Sequence, residues 1–146
     1  MGTLKLPPSG RIYLDANIVI YAVEKIPAHR SILEPLWLKV KSGRLSLVTS
    51  ELTLLEVLTH PFRFKDTILE LSFREYLSAN EMTLMPLQKS ILEAAAHYRN
   101  LGLKIPDAIH AATGTACGCS LFLTNDAVFE RVPNLPVAIL HKVAAA

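Results

Sequence analysis

The chain has 146 residues, 51% of them hydrophobic and 19% charged, with a formal net charge of +2. That length gives one domain with a sizeable core and no need of covalent staples, and the composition excludes a disordered chain. No apolar run is long enough to span a membrane, and Cys117 and Cys119 have no neighbouring His or further Cys to complete a metal set, so they read as small buried residues in a reducing compartment.

Residues 1–10, with Pro7, Pro8, Ser9 and Gly10, read as a flexible arm, and residues 11–146 as a single domain. The opening MGTLKLPPSGRIYL carries no signal-peptide pattern, and Leu6 stands where a myristoylation site needs Ser or Thr, so a cytoplasmic location is expected. Arg11–Leu14 is a first strand ending on Asp15, followed by a short helix from Asn17 to about Val23. Pro27 to Ser42 places Ile32, Leu33, Leu36, Trp37 and Val40 at helical spacing. Pro35 should kink or divide that helix, and Gly43 closes it. Leu45–Thr49 is a second strand, with Ser50 as N-cap of a helix through Leu58 that His60-Pro61 ends. Asp66 caps a helix over Thr67–Ala79, whose apolar side is Leu69, Phe73, Tyr76 and Leu77. Thr83–Met85 is a brief third strand and Gln88–Leu101 an amphipathic helix.

The most informative stretch is Lys104–Phe129. A helix opens at Pro106, where a missing N–H does no harm, and Asp107 follows. It runs through Ala108, Ala111, Ala112, Gly114 and Ala116 to Gly118, small residues that let it lie close to a sheet. Leu121–Thr124 has the length and apolar character of a buried parallel strand. It ends in Thr124-Asn125-Asp126, with a helical turn behind and a last strand at Pro136–Leu140. Strands alternate with helices, so the class is α/β with a mainly parallel sheet.

Ligands of such sheets bind beyond the carboxyl ends of the strands. Asp15, Asp107 and Asp126 all stand at element junctions there. Each single Asp is also explained as a helix cap; the set, with two strands ending in a carboxylate, points to a site. Glu56 joins it because a carboxylate among Leu54, Leu55, Val57 and Leu58 is costly without a partner. Glu51 lies about 140° away on the same helix and faces elsewhere. Clustered carboxylates raise one another's pKa, which a divalent cation relieves, and an all-oxygen set selects Mg²⁺ or Mn²⁺ over zinc. Phosphodiester hydrolysis is the natural reaction for carboxylates, Mg²⁺ and phosphate together.

LDANIVIY, TSELTLLEVL and PDAIHAATGTACGCSLFLTND with the following AVF, in this order, resemble the PIN-domain nucleases, and within them the VapC-type toxins of toxin–antitoxin systems. The resemblance implies a Rossmann-like α/β/α sandwich with parallel strand order 3-2-1-4-5, residues 11–146 forming the PIN-like domain. It also implies Mg²⁺- or Mn²⁺-dependent endoribonuclease activity on RNA. Asp15, Glu56, Asp107 and Asp126 match the four family acids, expected to be both catalytic and metal-binding, and Asn17 and Thr124 match supporting polar positions. A small antitoxin and a homodimer are the implied partners. PIN domains outside toxin systems process RNA, and a non-catalytic RNA- or protein-binding module is a further alternative. A phospho-acceptor receiver module is excluded, because Pro86 and Leu87 stand where its reactive Asp belongs.

For phosphate contacts the candidates are Arg44, Arg63, Lys65, Arg99 and Lys104, with His110 a candidate to touch substrate or metal, or else a packed or hydrogen-bonded histidine. Phe62, Phe64, Phe73 and Tyr76 fall in one helical hairpin and mark a possible apolar interface.

Overall fold

A computed structural model describes residues 2–145. Across them, strands β1 (Gly10–Leu14), β2 (Leu45–Ser50), β3 (Met82–Met85), β4 (Leu121–Thr124) and β5 (Val137–Ile139) form one sheet in the order 3-2-1-4-5, every pair parallel. This is the expected class and strand order. Helices α1 (Ala16–Glu24), α2 (Pro27–Lys41), α3 (Leu52–Arg63), α4 (Thr67–Leu77), α5 (Lys89–Arg99), α6 (Ile105–Ala116) and α7 (Leu140–Ala145) cover its faces.

Successive side chains of a strand point to opposite faces, and the core divides accordingly. Ile12, Leu14, Leu47 and Leu123 pack on one side with Ile18, Leu33, Leu36, Val57 and Phe73, which come from α1 to α4. Tyr13, Val48 and Phe122 pack on the other with Ile91, Ala108, Ala111 and Ala112 of α5 and α6. Both faces are buried, which is why the strands read as apolar runs rather than alternating ones. β1 sits in the middle, with Tyr13 registered against Val48 of β2 and Phe122 of β4.

The small residues of α6 bring it close to the sheet. A Cβ at Gly114 would stand 2.7 Å from Cδ2 of Phe122, whose ring is held between Tyr13 and Phe129. Gly114→Ala is therefore expected to cost about 1–2 kcal/mol by overpacking, although Ala is the better helix former by about 1 kcal/mol. Urea unfolding measures this; unchanged stability would mean that the ring can give way.

Several expectations need correction. Pro35 does not divide α2, which runs unbroken to Lys41; burial of Ile32, Leu33, Leu36 and Val40 against the sheet holds the helix despite the lost bond. His60-Pro61 does not end α3. Pro61 is buried within the helix, which continues to Arg63 and exits at Lys65, a residue in the left-handed region with φ 52°. The arm is not free throughout, since Leu4 is buried in the first core. The last strand ends at Ile139, and Leu140 already begins α7.

The aromatic hairpin divides as well. Phe73 is core, and the Tyr76 ring meets Trp37 edge-on at 6.1 Å, whereas Phe62 and Phe64 are exposed beside Leu55, Ile68 and Leu71. An amphipathic helix has an inner and an outer apolar residue in such a cluster, and helical spacing sends Phe73 inward.

Candidate functional site

β1 delivers Asp15 to the carboxyl end of the sheet. Its backbone N–H donates to Leu123 O at 3.3 Å, and Oδ1 caps α1 by accepting from Ile18 N at 3.1 Å. The side chain is 5% exposed. Its other oxygen accepts a short hydrogen bond from the Thr124 hydroxyl, and the same hydroxyl accepts from Asp126 N at 3.1 Å. Thr124, fully buried at the end of β4, thus ties two of the acids together. Asp126 is exposed and opens a 3-10 turn over Ala127–Arg131, with Oδ1 accepting from Val128 N at 2.9 Å.

Below Asp15, Thr49 donates to Leu14 O at 2.7 Å and lies 2.7 Å from the Thr53 hydroxyl, locking β1 to the start of α3. Ser50 accepts from Leu52 N at 3.0 Å. Glu51 turns aside, as expected, to accept from Leu87 N at 3.0 Å. Glu56 is 29% exposed, with Oε1 2.5 Å from Nε2 of His110. His110 in turn has Nδ1 2.6 Å from the Tyr13 hydroxyl. Asp107 is half-buried in the first turn of α6.

The electrostatics record how near these groups are. Burial pushes Asp15 up to about 6, opposed by the Thr124 hydrogen bond and reinforced by the charge of Glu56. Burial also raises Asp107, with the negative charges of Asp126 and Glu56 adding to it. Asp15 therefore feels Glu56, and Asp107 feels both Asp126 and Glu56. Among the described residues, however, no three His, Cys, Asp or Glu side chains stand close enough to hold a metal ion as they are. The donor chemistry still suits a hard divalent cation: the donors are all oxygen, and Asp15 and Asp107 resist ionising. Mg²⁺ keeps several waters and takes one or two carboxylates, so a closed cage is not required.

The PIN domain family profile matches residues 12–135, a span that contains all four acids. The chain belongs to the PIN-domain family. Similar folds occur in VapBC2 from Rickettsia felis bound to a DNA fragment of its promoter, with a TM-score of 0.69, 22% identity, and 88% of this chain and 98% of that one covered. A toxin–antitoxin complex from Klebsiella pneumoniae gives 0.66 and 23% identity over 87% of this chain and 95% of the other. VapBC-1 from nontypeable Haemophilus influenzae gives 0.59 and 16% identity over 90% and 98%. No curated protein sequence matches significantly.

Within this PIN domain the remaining candidates scatter. Asn17 is exposed on α1, two residues beyond Asp15. Lys104 precedes α6 at the acidic end, and its charge acts on Asp107. Arg63 lies about 10 Å of helix axis beyond Glu56, with Lys65 in the turn that follows. Arg99 donates to Leu103 O at 2.8 Å and fastens the α5–α6 turn. Arg44 is a correction: it immediately precedes β2, at the opposite end of the sheet from the acids, about 20 Å away along a strand of that length. For His110 the structure bears out the hydrogen-bonded reading and corrects the substrate contact: it is 2% exposed with both ring nitrogens engaged.

Sequence reasoning missed Tyr13, Thr49, Thr53 and Asn125. The Asn125 side chain donates to the Tyr21 hydroxyl at 3.2 Å and accepts from His141 N at 2.8 Å, tying the β4 end to α1 and α7. The available signal was a polar group inside an otherwise apolar buried run, as Tyr13 and Thr49 are.

Proposed function

We propose that this PIN domain is a Mg²⁺- or Mn²⁺-dependent endoribonuclease, the VapC-type toxin of a toxin–antitoxin pair, working in the cytoplasm. The observation that supports the reading is the electrostatic linkage of the acids: burial and the charge of Glu56 raise Asp15, and burial with the charges of Asp126 and Glu56 raises Asp107. The cation expected there would supply a charge for the scissile phosphate and lower the pKa of a water. The chain's own part is positional. Thr124 and the α1 N-terminus fix both oxygens of Asp15, and Thr124 sets the Asp126 backbone beside it. Asp107 and Glu56 approach from α6 and α3, and Lys104 offers a positive charge to an incoming RNA backbone.

The toxin reading is supported by the VapBC and toxin–antitoxin complexes among the similar folds. Exposed Leu55, Phe62, Phe64, Ile68 and Leu71 on the α3–α4 hairpin suit a small antitoxin or a second copy of the chain. The test is cleavage of single-stranded RNA by the purified protein. Activity is expected with Mg²⁺ or Mn²⁺ and none in EDTA. Undiminished cleavage in EDTA would sink the metal mechanism, and no cleavage with either cation would sink the enzyme.

A further inference from the structure

Tyr13, His110 and Glu56 form a line of three polar side chains through an apolar layer. Tyr13 is fully buried on β1, its ring stacked on Phe122 at 4.8 Å with 6° between planes. Its hydroxyl lies 2.6 Å from Nδ1 of His110, and Nε2 lies 2.5 Å from Oε1 of Glu56. A carboxylate only accepts, so the imidazole proton belongs on Nε2, facing Oε1 of Glu56, and the bare Nδ1 accepts from the Tyr13 hydroxyl.

We propose that His110, its tautomer fixed between the Glu56 carboxylate and the Tyr13 hydroxyl, is the positioning residue of Glu56: it pins Oε1 and leaves Oε2 for a cation or its water. Resting on the nuclease reading, this gives the buried histidine a job in that site. The layout gives it a second role. His110 follows Asp107 by three residues and so lies on the same side of α6, and its bond to α3 fixes the approach of one acid's helix to the other's. An imidazole suits the place because it accepts on one side and donates on the other, over the span between β1 and α3. Supporting groups of this kind typically change metal affinity by about ten- to hundredfold when removed.

Amide substitutions separate positioning from packing. In His110→Gln the amide nitrogen falls near the imidazole Nε2 and can still donate to Glu56. In His110→Asn the shorter amide keeps a partner for Tyr13 and loses Glu56. Mn²⁺ titration calorimetry of the full chain is expected to show binding weakened about ten- to hundredfold in His110→Asn and within about threefold of wild type in His110→Gln. Both variants should melt at similar temperatures in EDTA. Equal losses in both variants, or losses that follow melting temperature, would overturn positioning. So would wild-type affinity in a folded His110→Asn.

Nitrogen-15 NMR of the metal-free wild-type protein tests the tautomer without any variant. Nε2 should be protonated and Nδ1 bare; the reverse would overturn the positioning role even if His110→Asn failed to fold. These outcomes leave the nuclease reading intact, whereas a wild-type chain that binds no Mn²⁺ and cleaves no RNA would overturn both.

Discussion

Asp107→Asn is expected to reduce RNA cleavage on the order of a hundred- to thousandfold while the metal-free protein stays folded and melts no lower than wild type. The folded chain disfavours a charge at Asp107, first through burial and then through Asp126 and Glu56. Removing that charge relieves the folded state when no cation is present. The opposing term is small: an acidic residue in the first turn of a helix gains roughly 0.5 kcal/mol from the dipole. Capping does not explain Asp107, because the cap position of α6 is Lys104. A ligand that binds only the folded state raises its melting temperature, so Mn²⁺ should stabilise wild type more than the variant. Full cleavage with an undiminished Mn²⁺ shift would remove Asp107 from the site.

The second large effect is a stability that falls with pH in EDTA. Asp15 titrates at about 6 in the folded chain against an ordinary 3.8. Between those values the folded protein holds a proton that the unfolded chain has released. Stability is therefore full below about pH 4, declines as pH rises through about 6, and stays lower above. Two pKa units correspond to about 3 kcal/mol, or roughly 10 °C in melting temperature for a domain of this size. Asp107, also raised, acts in the same direction. Asp15→Asn should flatten the profile, and saturating Mn²⁺ should do the same for wild type. A flat profile for wild type in EDTA would show that Asp15 is ionised at little cost.

The alternation of strands and helices and the junction positions of Asp15 and Asp126 were legible because both follow from local pattern, whereas the strand order was expected only from the resemblance to the PIN family. Apolar runs bounded by turns mark buried parallel strands, and an acid just after such a run is carried to the carboxyl end of the sheet. The structure places Asp15 directly after β1 and Asp126 shortly after β4 in this way. Pairwise depth was not legible. Phe62 and Phe73 look alike in sequence, yet one is exposed and the other is core, because their helices present different faces. Pro61 carries a helix-ending signal that packing overrides. The partners of His110 lie on β1 and α3, distant in sequence from α6, and no spacing within its own helix announces them. Arg44 misled because charge alone says nothing about which end of a strand it occupies.

The central place of β1 has a consequence for the order in which the molecule is made. Its pairing with β2 can form early, but Thr124, the partner of Asp15, comes 109 positions later in the chain. At a synthesis rate of 5–20 residues per second that separation corresponds to a delay of about 5–20 s. Closing so long a loop is also slow compared with forming local helices. Through that interval a nascent chain can hold β1, β2 and β3 together while half of its acidic site does not yet exist. β4 and the Asp126 that follows it therefore complete the site, β5 then completes the sheet, and a chain broken off before β4 would carry no finished cleft.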